Sequence, residues 1–335
     1  MFGFLIKKTF FDMWDNMFRI ILLNLAFIGV LGLVALPSLV SGEVPDQAAI
    51  AGGAPGTARA AAAPEPQAPA APMSEAEAQA GFQKFIEDCV AKPFTAPLAR
   101  IVLMLGPIGG TQLIGMLIAR QPLVILPLLI LLVGIAALVV LCGAASRMTA
   151  DIADYKQPGF GEFWTYVKES WANSLLGAVL LLAYLLIASV AFPFYAGRGW
   201  VGWLAMGLLF WVTVAALLAA QYFFPIQARL DRKLRKVLRK SFLLLFDNTL
   251  FSFGLAIVAV VVFAISAFTA FLLPGIATLF LWWNAALKLR LYKYDWLEQN
   301  PGADRRKVPW DALLIDDRER VGKRTLKGMI FPWKE

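Results

Sequence analysis

Residues 229–240 read RLDRKLRKVLRK, and seven of these positions are basic: Arg229, Arg232, Lys233, Arg235, Lys236, Arg239 and Lys240. The run lies between two long apolar stretches, residues 200–225 and 249–273. Each stretch is long enough to cross a hydrocarbon core, because about 20 helical residues span roughly 30 Å. Lys and Arg beside a span are retained on the cytoplasmic side during insertion. The run therefore predicts a polytopic membrane protein with residues 226–248 cytoplasmic and the seven basic side chains at the membrane surface.

Composition points the same way. Hydrophobic residues make up 59% of the chain and charged residues 16%, against about 25% charged in a soluble domain. A net charge of +8 can signal nucleic acid. Here the basic residues flank apolar spans, and no base-stacking sheet or recognition helix accompanies them. The expected partner is the lipid bilayer, not nucleic acid.

Histidine is absent and only two cysteines, Cys89 and Cys142, are present. His-based acid–base catalysis, Ser-His-Asp and Cys-His systems and His-ligated zinc or haem are excluded. Two lone cysteines do not make a Cys-rich metal site, and Cys142, inside an apolar span, reads as a packing residue. No cofactor, metal or catalytic residue is expected.

Four regions are expected. Residues 1–41 hold an elbow helix and the first span, 20–40, preceded by Lys7, Lys8 and Arg19. A cleaved signal peptide is the alternative, since small residues follow Val40. Residues 42–120 form an extracytoplasmic insertion. Its segment 42–75 is an Ala/Pro/Gly-rich linker without apolar residues enough to form a core. Residues 74–90 read as a short amphipathic helix with Ser74 as N-cap and Glu77 three positions on. Across 42–98 there are seven acidic residues against three basic ones, which suits the outer side. Residues 99–119 are apolar but broken by Gly106-Pro107 and Gly109-Gly110, so an interfacial or re-entrant course is expected. Residues 121–293 hold five further spans: 122–144, 174–196, 200–225, 249–273 and 276–291. Trp282, Trp283, Lys288, Arg290 and Tyr292 read as interface anchors of the last one. Residues 294–335 form a cytoplasmic tail. Six spans put both termini inside.

A motif recurs three times. Trp14-Asp15-Asn16, Trp171-Ala172-Asn173 and Phe246-Asp247-Asn248 each place an aromatic two residues before an Asn. Each is preceded by an amphipathic stretch (IKKTFFDM, GEFWTYVKES, KLRKVLRKSFLLL) and followed by a pair of apolar spans. The second span of each pair ends in small residues and then a basic one, Arg147, Arg229 or Lys288. The expected architecture is an all-α transmembrane bundle of three repeats. In each, an in-plane elbow helix feeds a transmembrane hairpin, and the Asn satisfies backbone groups at the bend and caps the new helix. Convergence of the three Asn on a cytoplasmic-face pocket is the functional alternative.

Three segments together carry a family resemblance: FDMWDNMFRIILLNLAFIGVL, GAASRMTADIADYKQPGFGEFWTYVKESWANSLLGAVL, and FPIQARLDRKLRKVLRKSFLLLFDNTLFSFGLA with FLLPGIATLFLWWNAALKLRLYK. In this order they resemble the YesL-like bacterial integral membrane proteins, a family whose domain has no assigned function. The resemblance covers most of 5–41 and 122–298, while 42–120 and the tail depart from the compact form. It implies a bacterial inner-membrane protein with an accessory role near carbohydrate ABC transporters, and their permease subunits as partners.

Polar residues inside the spans are few, and no charged residue stands at mid-depth. Ion-coupled transport ordinarily needs such charges, so a small-solute transporter or channel is the alternative reading. A membrane-embedded enzyme is a second alternative. Its candidate carboxylate pairs, Asp12/Asp15 and Asp151/Asp154, stand near Lys or Arg and read as solvated faces. An accessory or scaffold role is favoured. The tail's Ile330, Phe331, Pro332 and Trp333, ringed by Lys323, Arg324, Lys327 and Lys334, read as a partner-docking element or, alternatively, a lipid anchor.

Overall fold

The computed structural model describes residues 1–40, 125–196, 198–305, 307–322 and 324. Every regular element among them is a helix. In chain order these are α1 (Phe2–Asp15), α2 (Met17–Val40), α3 (Ile125–Ala153), α4 (Phe160–Ala196) and α5 (Gly199–Arg229). They continue with α6 (Leu234–Asp247), α7 (Thr249–Phe268), α8 (Gly275–Gln299), α9 (Trp310–Leu313) and α10 (Ile315–Val321). Five of them, α2, α3, α4, α5 and α7, are long and apolar enough to cross a membrane. The chain is thus an all-α membrane protein. The linker 42–75, the helix 74–90, the segment 99–119 and the tail residues Ile330, Phe331, Pro332 and Trp333 lie outside the described residues.

The chain divides into two compact units. The larger comprises Met1–Gly29, Ala137–Leu181 and Leu204–Glu335. Its centre is α8, in which Leu279, Phe280, Leu281, Trp282, Asn284, Ala285, Ala286, Leu287 and Lys288 are all buried. Such consecutive burial leaves no outward face. A helix enclosed in this way can carry Asn and Lys, because neighbouring helices rather than lipid surround them. Phe2 packs edge-on against Trp282 at 5.8 Å, Phe27 stacks on Phe280 at 6.1 Å, and Phe224 meets Phe280 edge-on at 5.7 Å. Trp282 donates its indole N–H to Leu255 O at 3.1 Å.

The expectation for the end of this helix needs correction. Trp282 and Lys288 are buried inside the protein and are not interface anchors. α8 also runs well past residue 291. The indole finds its acceptor on α7, and the ammonium finds carboxylates.

Two amide clasps fix α8. Asn24, fully buried in α2, donates from Nδ2 to Leu272 O and Pro274 O, both at 2.9 Å. Its Oδ1 accepts from Ala277 N at 2.8 Å. One side chain thereby satisfies backbone groups at the α7–α8 turn, which an apolar environment would otherwise leave unpaired. Gly275 turns here with φ +70°, and a Cβ at this position would lie 2.1 Å from Asn24 Nδ2. Asn284 donates to Ser146 O at 3.0 Å and Thr149 Oγ1 at 3.2 Å, joining α8 to α3. Close helix packing elsewhere uses small residues. A Cβ on Gly143 would sit 2.2 Å from Ser174 Oγ.

The second unit comprises Val30–Ala136 and Leu182–Trp203. In it Val34 and Leu131 are buried together, with Ile135 against them. A Cβ on Gly134 would come within 2.8 Å of Val34 Cγ2, so only glycine permits this approach. The Arg198 guanidinium lies 4.4 Å over the Phe194 ring.

Replacing Asn24 with Leu strands the Leu272 carbonyl and the Ala277 N–H at the turn, while Pro274 O keeps its bond from Thr278 Oγ1. The expected loss is about 2–3 kcal/mol, read as a lower unfolding midpoint in detergent. Gly275→Ala should also destabilise, since it combines an unfavourable φ with a clash. An unchanged midpoint in both variants would refute the clasp.

Candidate functional site

The charged residues of the larger unit gather where helices end. The site starts with α1, whose buried face reads Leu5, Lys8, Thr9, Asp12 and Met13, the spacing of one helical stripe. Lys8 Nζ bonds Asp12 Oδ2 at 2.6 Å and Ala153 O at 3.0 Å. From α8, Lys288 Nζ reaches the same Ala153 carbonyl at 3.0 Å. Lys288 also pairs with Asp317 Oδ1 at 3.2 Å and Asp154 Oδ1 at 3.6 Å. Arg229 closes the group, with Asp154 Oδ2 at 2.7 Å and Ala150 O at 2.9 Å.

Tyr155 is the pivot. The end of α3 is closed by Lys156 N→Asp151 O at 2.9 Å and Tyr155 N→Ile152 O at 2.9 Å, a pattern that requires a left-handed residue between them. Tyr155 occupies that position at φ +61°, where glycine is the usual choice and a side chain costs about 1–2 kcal/mol. The ring offsets that cost. Lys8 and Lys288 lie 3.9 Å and 4.5 Å from its centroid, and its hydroxyl donates to Asp317 Oδ1 at 2.7 Å. Asp317 comes from α10 and is flanked by fully buried Leu314 and nearly buried Val321.

Burial decides the electrostatics of the Lys8–Asp12 pair. It pushes the Asp12 carboxyl up from 3.8 to about 6, against the opposing Lys8 charge and hydrogen bond. It pushes Lys8 down, with Asp12 opposing. Both partners move toward their neutral forms, so desolvation outweighs their attraction. Burial also pushes the Asp317 carboxyl up, but the Tyr155 hydrogen bond and the Lys288 and Lys8 charges outweigh it and hold Asp317 below the usual range.

Several sequence expectations change here. Asp12 is buried and does not belong to a solvated face. The Arg229 side chain turns inward to Asp154 rather than out to solvent. Arg232 pairs with Glu169 at 2.7 Å, and Glu169 also holds Arg147 at 2.8 Å. Asp231 engages Lys240 at 2.6 Å and Lys236 at 3.8 Å. Lys233, Arg235 and Arg239 remain exposed. No group of three or more His, Cys, Asp or Glu suited to a metal ion occurs among the described residues.

The elbow motifs also divide. Asn16 and Asn248 stand at helix breaks, α1–α2 and α6–α7. Each acts backward: Asn16 Nδ2 donates to Asp12 O at 3.0 Å, and Asn248 Nδ2 to Leu244 O at 3.4 Å and Tyr294 Oη at 2.7 Å. They close the preceding helix and do not cap the new one; Asn248 makes no side-chain cap bond to α7. Asn173 is not an elbow. It lies inside continuous α4, and its Nδ2 donates to Arg232 O at 2.6 Å. The residue before it is Ala172, the strongest helix former, whereas Asp15 and Asp247 precede the true breaks. Asp is a weak helix former, and its charge is unfavourable at a helix C-terminus. The three Asn do not share one structural role. Trp14, Trp171 and Phe246 are exposed, with Trp14 stacked on Phe10 and Phe246 on Phe242.

Reasoning from sequence missed Lys8, Tyr155, Lys288 and Asp317. The one available signal was Lys8 four residues before Asp12 on the apolar stripe of α1. Comparison with family models, with curated proteins and with solved structures finds no match to this chain.

Two outcomes follow from this geometry. Folded Asp12 binds its proton more tightly than the unfolded chain does. Its contribution is full below 3.8 and is lost as pH rises through about 6, a fall of roughly 3 kcal/mol. Asp12→Asn should flatten the pH 4–7 slope of unfolding stability, and an unchanged slope would count against the assignment. Asn248→Leu should cost about 1–2 kcal/mol, the scale of a helix cap, while Asn173→Leu should cost less than half of that; equal losses would contradict the division.

Proposed function

We propose that the protein is an accessory scaffold of the bacterial inner membrane, built from six spans and associated with a carbohydrate ABC transporter. The observation that carries this reading is that the buried Asn24, Asn284, Tyr222 and Ser252 side chains bond one another or the backbone, with Gln227 of α5, buried and without a side-chain hydrogen bond among the described residues, as an exception. Asn24 and Asn284 serve as clasps, and Tyr222 Oη lies 2.7 Å from Ser252 Oγ. A solute pathway would direct such groups at a cargo; here they hold helices together.

Parity supports six spans. Lys8 and Ala153 share a hydrogen bond, so the chain between them crosses an even number of times, and α2 and α3 supply two crossings. Arg229 bonds Asp154, and α4 and α5 supply two more. Lys288 bonds Asp317 and Ala153, and α7 with α8 returns the chain to the same side. Arg324 pairs with Asp15 at 2.7 Å, and Lys7 donates to Gly322 O at 3.2 Å. These contacts support both termini on one side. The basic residues of 229–240 favour the cytoplasm for that side. Two of the three motifs, at Asn16 and Asn248, stand at helix breaks, and the third, at Asn173, lies inside a continuous helix, which counts against a threefold repeat. The YesL-like resemblance, resting on the three quoted segments, suggests the ABC-permease partner.

Affinity purification from native membranes should recover permease subunits with the protein. Stoichiometric recovery of a small solute, with no permease, would favour the transport reading. A single cysteine at position 59, with Cys89 and Cys142 replaced, should be labelled from outside; labelling from the cytoplasm alone would overturn the topology.

A further inference from the structure

Helix α6 carries a stripe that is half cationic and half aromatic. Val237, Ser241, Leu244 and Leu245 are buried. On the opposite face Arg235, Arg239, Phe242 and Phe246 are exposed, at the i, i+4, i+7, i+11 spacing of one line along a helix. Its first half is cationic and its second half aromatic, with the Phe242 and Phe246 rings stacked at 6.5 Å. Beyond the break at Asn248 the exposed apolar line continues into α7 through Leu250, Phe253 and Ile257. α7 is one of the helices apolar enough to cross a membrane. The aromatic half is therefore continuous with a surface suited to acyl chains, and the arginines stand one to two turns away from it. Neither arginine has an ion pair among the described residues. Lys236 and Lys240, on the flank of the stripe, are both held by Asp231, and the Lys240 hydrogen bond keeps Asp231 below its usual range.

We propose that this stripe binds the phosphate headgroup of an anionic phospholipid. Arg235 and Arg239 form the clamp, and Phe242 and Phe246 seat in the acyl-chain boundary. The proposal rests on the membrane reading of α7. Two guanidinium groups four residues apart present forked donors matched to phosphate oxygens. Rings at the end nearer the span fix the depth of the helix. Asp231 sets specificity by offsetting the charge of Lys236 and Lys240, which stay exposed beside it, and this leaves geometry rather than bulk positive charge to select the lipid.

The test uses the full-length protein in mixed micelles, with phosphatidylglycerol or phosphatidylcholine as probe and retained lipid read by native mass spectrometry. The parent should retain phosphatidylglycerol over phosphatidylcholine. Arg235→Gln with Arg239→Gln should weaken phosphatidylglycerol binding about twentyfold, from roughly fivefold per charge near the surface. Lys236→Gln with Lys240→Gln should change it less than about twofold, and Asp231→Asn should tighten it by releasing two cations. Equal retention of both lipids by the parent, or an undiminished affinity in the double arginine variant, overturns the proposal. So does a double variant that keeps the lipid but loses a co-purifying acidic protein, because the stripe would then belong to that partner. Carbonate washing of membranes tests the underlying reading separately: loss of the parent protein from the washed membrane would refute membrane embedding whatever the lipid result.

Discussion

A single backbone oxygen, the carbonyl of Ala153, accepts hydrogen bonds from two ammonium groups, Lys8 and Lys288. Two like charges converging on one acceptor would repel unless the surroundings were negative. The surroundings supply that in several ways. The oxygen belongs to the C-terminal end of α3, where the helix dipole is negative. The Tyr155 ring presents its electron-rich face to both cations. Asp12, Asp154 and Asp317 bring three carboxylates against Lys8, Lys288 and Arg229. Five chain segments far apart in sequence meet at this point, and each contributes a group that another needs.

Such a network is a weak source of net stability, because desolvation cancels much of the attraction. The opposed movements of Asp12 and Lys8 toward neutrality express that cancellation. Its stronger effect is on register. Sliding α1 by one residue would turn Lys8 away from Ala153. Shifting α8 would part Lys288 from both of its carboxylates. Breaking one partner leaves an uncompensated buried charge, at a cost of about 3–5 kcal/mol. The left-handed Tyr155 is consistent with this role, since glycine would relieve the backbone but supply neither the ring nor the hydroxyl.

The fold was readable from the sequence wherever lipid alone sets the requirement. The helices α2, α3, α4, α5 and α7 announce themselves by unbroken apolar length, because backbone groups facing hydrocarbon must be satisfied within the segment. α8 announced itself poorly. Protein encloses it, so the length rule relaxes, Lys288 is tolerated, and its tryptophans imitate an interfacial belt. The elbows show the same limit on a smaller scale. The straight motif differs from the two bent ones at its middle residue, Ala172 against Asp15 and Asp247, and the helix propensity of Ala favours the continuous course. In the basic run, only pairing separates inward Arg229 from outward Arg235 and Arg239, and the partners Asp154 and Asp231 carry no mark in the sequence that assigns them.

A division of polar labour emerges from these contrasts. Within the helices, neutral amides and hydroxyls make the joins: Asn24 at the α7–α8 turn, Asn284 against α3, and Tyr222 beside Ser252. The buried full charges, Lys8, Asp12, Lys288 and Asp317, gather around the C-terminal end of α3, where carboxylates and the helix dipole meet them. Neutral groups lose less on leaving water than charged ones, so this allocation is the less costly way to hold helices together in hydrocarbon. It also frees the outer helix faces to be uniformly apolar. Among the exposed cations without an ion pair, Arg235 and Arg239 are set apart by sharing one helix line with exposed aromatics. Two unpaired arginines one turn apart, in line with exposed aromatics that lead into an apolar span, are accounted for by a partner outside the polypeptide.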